Sequence, residues 1–137
     1  MRRCLILLSA ILIMISAGAD TFIIIANAEN KVTEISKELL KHIYLGKKTK
    51  LDDGKKIVPV MLKDGEVFGT FVKEITGKTS IQFNTFWKKA IFTGKGKPPK
   101  SFETEEKLVE YIKANKDAIG FIGEKTGTEE VKVIKVK

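Results

Sequence analysis

Residues 36–63 read SKELLKHIYLGKKTKLDDGKKIVPVMLK, and this stretch predicts a helix, a basic loop and a buried strand in that order. Apolar side chains recur at helical spacing and give the helix one apolar face: Ile35, Leu39, Leu40, Ile43 and Tyr44. Ser36 is placed to cap the start of the helix, and Gly46 is placed to end it in a left-handed conformation. Asp52-Asp53-Gly54 predicts a turn, and Ile57–Leu62 is an apolar run of strand length. A helix, a loop and a strand in this order are half of an α/β unit.

The pattern of alternating helices and strands continues on both sides of this stretch. Three more apolar runs predict strands: Thr21–Asn27, Ala118–Ile122 and Val131–Val136. Three more helices are expected, with boundary signals at the turn Lys63-Asp64-Gly65, at Gly77, at the capping box of Thr79 and Gln82, and at Thr104. Three segments read as loops or turns: Ala28–Glu34, Thr93–Lys100 and Gly123–Glu130. The order β-α-β-α-α-α-β-β predicts one α/β domain over residues 20–137, a small mixed sheet flanked by helices.

The helix that follows the capping box carries an apolar and aromatic side, formed by Ile81, Phe83, Phe86, Trp87, Ala90 and Ile91. Apolar residues at this spacing usually pack in the core, and we expect that here. An aromatic platform for a ligand is the alternative. Four side chains are expected to be buried across the domain: Phe71, Trp87, Ile112 and Ile119.

Residues 1–19 have the three parts of a signal peptide. Arg2 and Arg3 form a basic start, Leu5–Ile15 is almost wholly apolar, and Ala17-Gly18-Ala19 is a small-residue cleavage signal. The apolar run is short for a spanning helix, which needs about 20 residues. We therefore expect export, cleavage after Ala19 and a periplasmic or extracytoplasmic location. An uncleaved anchor is the alternative.

The chain is basic, with 25 lysine and arginine residues against 17 acidic ones and a formal net charge of +8. Without Arg2 and Arg3, 23 lysines remain and the net charge is +6. This balance favours anionic ligands or surfaces, and a lysine-rich solvated surface is the alternative. We expect no nucleic-acid partner, since no basic stripe with exposed aromatic residues is evident. Cys4 leaves with the signal peptide, so the mature chain has neither disulfides nor thiol chemistry.

The sequence offers no constellation that predicts catalysis. His42 is the only histidine, and no second histidine or cysteine stands beside it to form a metal site or a catalytic triad. Asp52 and Asp53 lack the acidic spacing of a calcium loop and read as turn residues. We therefore predict a protein that is not an enzyme and has no cofactor and no metal site.

Three segments resemble the phosphate-type substrate-binding proteins of ABC transporters. They are HIYLGKKTKLDDGKKIVPV (residues 42–60), WKKAIFTGKGKPP (residues 87–99) and LVEYIKANKDAIGFIG (residues 108–123). The resemblance implies the type II periplasmic-binding fold, which normally has two lobes that close on a ligand. A chain of this length has room for one lobe, so we expect a single lobe of a periplasmic-binding-protein-like fold.

The resemblance also implies an anion site at the turn that opens the second helix, where backbone N–H groups would hold an oxyanion. The matching positions in this chain are Lys63, Asp64, Gly65, Gly69 and Thr70. The family's serine is missing here, and Glu66 stands where the anion would lie. A second set of candidate ligand-binding residues lies in the basic loop: Thr93, Gly94, Lys95 and Gly96. This loop is not a nucleotide-binding P-loop, because Pro98 follows Lys97 where Ser or Thr is required.

Two functions follow from these expectations. The first is non-catalytic binding of a solute or a phosphate-type oxyanion in ABC transport, with a membrane transporter as partner. The second is an interaction module that has lost ligand binding and contacts another envelope protein or forms a homodimer. For either function we expect weak phosphate binding by the single lobe, because a small anion must be surrounded by donors to be held tightly.

Overall fold

The computed structural model describes residues 21–137, so the predicted signal peptide lies outside the described residues. The elements in chain order are β1 (Phe22–Asn27), β2 (Glu34–Ile35), α1 (Lys37–Tyr44), β3 (Val58–Leu62), α2 (Glu66–Thr76), α3 (Ser80–Phe92), β4 (Lys100–Phe102), α4 (Glu105–Ala114), β5 (Ala118–Gly123) and β6 (Val131–Val136). This order confirms the predicted α/β class. Within residues 21–137, no helix combines the length and the apolarity needed to cross a membrane.

The six strands form one mixed sheet in the order β2-β6-β1-β5-β3-β4. β3 runs parallel to β4 and β5, whereas β1 is antiparallel to both of its neighbours, β5 and β6. Because β3 and β4 are parallel, their first residues lie at one edge of the sheet and their last residues at the opposite edge. That arrangement decides where the candidate site residues lie.

The core occupies both faces of the sheet. Successive side chains of β5 point to opposite faces, and all six residues of this strand are buried. On one face Phe121 stacks on Phe71 of α2, with ring centroids 3.8 Å apart. On the other face Gly120 lies beneath α4, where a Cβ atom would come within 2.9 Å of Ile112 Cδ1. Glycine therefore lets α4 approach the sheet closely. The four side chains that were expected to be buried are all in the core, which confirms that prediction: Phe71, Trp87, Ile112 and Ile119.

The ends of the helices follow the capping signals in the sequence. Ser36 accepts a hydrogen bond from the Leu39 N–H group, and Thr104 accepts one from the Lys107 N–H group. Thr79 and Gln82 form the expected reciprocal capping box at the start of α3. Gly77 ends α2 with a positive φ of 75°. Local side-chain chemistry thus sets these boundaries as predicted.

Two short strands and part of one helix differ from the sequence prediction. β2 and β4 begin within segments predicted as loops, and Ile35 lies in β2 rather than on the helix face. Strands of two and three residues are too short to show a period in the sequence. The expected burial of Ile81 and Ile91 is wrong, since they are 79% and 55% exposed. α3 packs on α2 through Phe83, whose ring centroid lies 5.9 Å from that of Phe68, and its outer side faces solvent.

Candidate functional site

A groove of about 830 Å³ lies where β3 and β4 begin. Its walls come from the loop after α1 (residues 45–49), the start of β3 at Val58 and Pro59, the last turns of α3 and the loop of residues 95–100. Trp87 forms part of its apolar lining, next to Phe86. Three of the predicted site residues line this groove, namely Thr93, Lys95 and Gly96, and Gly94 lies between them in the chain.

Trp87 is held between two glycines and is only 6% exposed. A Cβ atom on Gly46 would lie 2.7 Å from Trp87 Cη2, and one on Gly96 would lie 3.8 Å from Cζ3. Gly46 also has a φ of +74°, which side chains rarely adopt. The indole Nε1–H is buried and has no hydrogen-bond partner among the described residues. The groove therefore depends on glycine both for the turn after α1 and for the space that the ring occupies.

The loop after α3 is folded back on the helix by backbone hydrogen bonds. The Lys95 N–H group donates to the Ala90 carbonyl at 2.9 Å, and the Thr93 N–H group donates to the Lys89 carbonyl at 3.0 Å. The Thr93 hydroxyl donates to the same Lys89 carbonyl at 2.8 Å. Gly94 supplies the left-handed residue that this reversal needs, with φ +70°. These bonds hold the loop against the helix and fix the backbone at Lys95 beside the groove.

The rim of the groove is strongly basic. Six lysines line it, and no aspartate or glutamate does: Lys47, Lys48, Lys89, Lys95, Lys97 and Lys100. Two of them come from the turn after α1, where the N–H groups of Lys47 and Lys48 donate to the His42 carbonyl at 2.8 and 3.2 Å. The chain between Glu74 and Glu103 contains no acidic residue. A concave surface lined by one sign of charge concentrates counter-ions, so this groove attracts anions.

The predicted anion site at residues 63–70 lies at the opposite edge of the sheet, where Lys63–Gly65 form the turn after β3 and residues 66–70 begin α2. The Lys63 N–H group donates to the Phe102 carbonyl at 2.9 Å, which fixes the turn beside the end of β4. Gly65 is the N-cap of α2 with φ +94°, and no side chain caps this end. Lys63, Asp64 and Gly65 are exposed, whereas Gly69 and Thr70 are half-buried. A helix start of this kind presents backbone N–H groups to an anion.

Two carboxylates, those of Glu66 and Glu105, lie near that turn. Glu66 stands in the first turn of α2, and Glu105 Oε1 accepts a hydrogen bond of 2.7 Å from the Gly123 N–H group. A Cβ atom on Gly123 would lie 3.1 Å from Glu105 Oε1 and 3.4 Å from Val67 Cγ2, so Glu105 is close to the start of α2. The second oxygen of Glu105 accepts from the Thr126 hydroxyl. An anion bound at this turn would therefore be repelled by nearby carboxylates, whereas no carboxylate lines the groove.

The predicted site residues thus form two separate groups. The length of β3 places the groove and the turn about 16 Å apart, with one group at each edge of the sheet. Of the six rim lysines, only Lys95 was among the predicted ligand-binding residues, and five were not: Lys47, Lys48, Lys89, Lys97 and Lys100. The absence of acidic residues from positions 75–102 is the signal that could have indicated this basic surface.

The other polar groups in the core have structural roles. Burial raises the pKa of Tyr44, whose hydroxyl donates to the Val60 carbonyl at 2.8 Å. Asn27 Nδ2 donates to the carbonyls of Ile112 and Lys113 at the end of α4. Within residues 21–137, no group of three His, Cys, Asp or Glu side chains is placed to hold a metal ion.

The chain is similar to solved structures of known proteins, but it matches no sequence family. No family model and no curated protein matches the chain. An ABC-type phosphate transport receptor from Vibrio cholerae matches with a TM-score of 0.64 and 20% identity, over 85% of this chain and 46% of that one. A putative phosphate ABC transporter substrate-binding protein from Clostridium perfringens, solved with bound phosphate, matches with a TM-score of 0.60 and 21% identity, over 85% and 45%. PstS from Borrelia burgdorferi matches with a TM-score of 0.62 and 18% identity, over 86% and 47%.

These similarities show the fold of the chain. It has the architecture of one lobe of a periplasmic-binding-protein-like structure, as the sequence resemblance implied. The chain spans less than half the length of the receptors that it matches.

Proposed function

We propose that this chain is an exported, non-catalytic solute-recognition domain associated with ABC transport, and that it binds an organic anion in the six-lysine groove. The observation that supports this most strongly is the groove itself, a concavity of about 830 Å³ lined by six lysines and no carboxylate. Export after cleavage at Ala19 is part of the same proposal, and so is the transporter as eventual partner. The fold of the matched receptors supports the general role of solute recognition.

The composition of the groove favours an organic anion over free phosphate. Small-molecule sites are typically about 300–1,000 Å³, apolar over most of their lining, with a few polar groups that fix orientation. Phosphate alone would leave the Trp87 and Pro59 surfaces unused, and it needs donors on all sides to be held dehydrated. A carboxylate or phosphate group attached to an apolar body uses both the lysines and the apolar floor.

A single lobe covers only one side of its ligand, so we expect moderate affinity. The matched receptors are longer, and the part that this chain matches is 45–47% of three of them. We propose that a transporter subunit or a second copy of this chain contacts the side of the ligand that this lobe leaves open. The alternative, an envelope interaction module, uses the same groove for an acidic segment of a partner protein and binds no small anion.

Trp87 is the only tryptophan, so its fluorescence reports directly on the groove. We expect phenyl phosphate to cause a saturable change, with inorganic phosphate much weaker and benzylamine without effect. Raising the salt concentration to about 0.5 M should weaken the binding, because the interaction is electrostatic and partly exposed. Lys95→Gln should weaken it by about three- to tenfold.

Lys125→Gln is the matched control, because Lys125 is exposed in the turn after β5, at the far edge of the sheet. It removes the same charge and should leave the affinity unchanged. Equal losses in both variants would show a diffuse charge effect rather than a site. No saturable response to any organic anion would leave the interaction module as the better description.

A further inference from the structure

The C-terminal end of α3 exposes two large apolar side chains next to each other. Phe92 is 90% exposed and Ile91 is 55% exposed, and Phe92 is the most exposed large hydrophobic residue within residues 21–137. Phe92 lies on the side of the helix opposite Ala90, which lines the groove, and Ile91 lies about 100° around the helix axis from Ala90. Lys88 lies one turn earlier on the same solvent side, at spacings of three and four residues.

Lysines surround this pair. We use the name α3 tip for Ile91, Phe92, Lys88, Lys89, Lys95 and Lys97. All six are exposed, and none of the four lysines takes part in an ion pair within the described residues. The rest of the outer side of α3 differs, since Asn84 and Thr85 separate the tip from the isolated Ile81.

An anionic bilayer surface fits the chemistry of the α3 tip better than a protein surface does. Two adjacent apolar side chains are too few for the core of a stable protein interface, which buries about 1,200 Å² or more. They suffice to enter the boundary between lipid headgroups and acyl chains, while flexible lysines contact anionic headgroups. Lysines without fixed partners also suit a fluid surface whose charges have no fixed positions.

We propose that the α3 tip is a membrane-contact site, in which Phe92 and Ile91 enter a bilayer containing anionic phospholipid and the four lysines bind its headgroups. The contact holds the groove, which shares Lys89, Lys95 and Lys97 with the tip, beside the membrane surface. The proposal does not depend on the groove having a ligand. It makes the membrane a partner in addition to any transporter subunit.

Vesicle sedimentation tests this with the chain from Asp20 onward. This part is used because the whole sheet and the core described here lie within residues 21–137, and because the apolar leader would bind vesicles itself. Vesicles of phosphatidylcholine alone are compared with vesicles that contain about 30% phosphatidylglycerol, the source of the surface charge. We expect binding to the anionic vesicles only, and its loss at high salt concentration.

Phe92→Ser should reduce the apparent affinity for the anionic vesicles by about tenfold or more, because it removes the largest inserted apolar area. Ile81→Ser is the matched control, since it removes an apolar side chain that is 79% exposed on the same helix but outside the tip. Lys88→Gln should reduce binding by about fivefold, and Lys125→Gln should not. All four changes are at exposed positions, and circular dichroism verifies that each variant is folded.

Two outcomes overturn the proposal. Equal losses for Phe92→Ser and Ile81→Ser would show general surface adsorption, and equal binding to neutral vesicles would exclude headgroup recognition. Failure of the proposed function looks different, because Phe92→Ser should leave the Trp87 response to phenyl phosphate intact.

Discussion

Gly46 is the residue on which the floor of the groove depends. Its positive φ lets the chain turn after α1, and its missing side chain leaves room for the Trp87 ring. The sequence predicted the first role, because a glycine after an amphipathic helix is a common helix end. It could not predict the second role, since residues 46 and 87 are far apart in the chain and meet only in the folded structure.

We expect Gly46→Ala to destabilise the fold by more than Gly54→Ala does. Both glycines have positive φ, at 74° and 84°, so both variants bear backbone strain of about 1–3 kcal/mol. Only at Gly46 would the new methyl group meet the rigid Trp87 ring, whereas nothing lies within 4 Å at Gly54. We expect this overpacking to lower the free energy of unfolding of Gly46→Ala by a further amount of about 1–3 kcal/mol, as measured by urea denaturation. Equal losses would mean that the ring moves aside without cost.

Among the secondary-structure elements, α3 is the one whose burial was not predicted correctly from the spacing of its apolar residues. The spacing of its apolar residues predicted one buried face, yet only Phe83 and Trp87 are buried in the structure. α3 lies behind α2 rather than on the sheet, so one neighbouring helix cannot cover every apolar residue that it carries. The sequence shows the helical spacing of the apolar residues, but it does not show how many of them the neighbouring helix can cover. The helices that pack on the sheet, by contrast, were predicted together with their caps.

The link between α4 and β5 gives a second prediction, because Glu105 joins the start of the helix to the end of the strand. It accepts hydrogen bonds from the Gly123 N–H group and the Thr126 hydroxyl. We expect Glu105→Ala to lower the free energy of unfolding by about 1.5–3 kcal/mol. Glu106→Ala is the control, since Glu106 is exposed in the same helical turn and has the same effect on the helix dipole. If urea unfolding gives equal losses for both variants, then the bonds of Glu105 contribute nothing beyond that dipole.

Charge is distributed unevenly between the two edges of the sheet. The edge where β3 begins carries the six-lysine groove, and the edge where β3 ends carries the turn at residues 63–65 and the start of α2, with Glu66 and Glu105. The four helices, the four longer strands and the single lobe could be predicted from the sequence, whereas the short strands β2 and β4 could not. The groove could not, because residues 45–49 and 86–100 are separate segments that come together only through tertiary packing.

We propose that anions bind in the groove and not at the turn, and nuclear magnetic resonance separates the two places directly. Amide proton and nitrogen shifts of the chain from Asp20 onward are followed during a titration with phenyl phosphate. We expect the largest changes at the single indole N–H of Trp87 and at the amides of Gly94 and Gly96, with Gly65 and Gly69 unchanged. Large shifts at Gly65 and Gly69 with a stationary Trp87 indole would contradict the claim and place the anion at the start of α2.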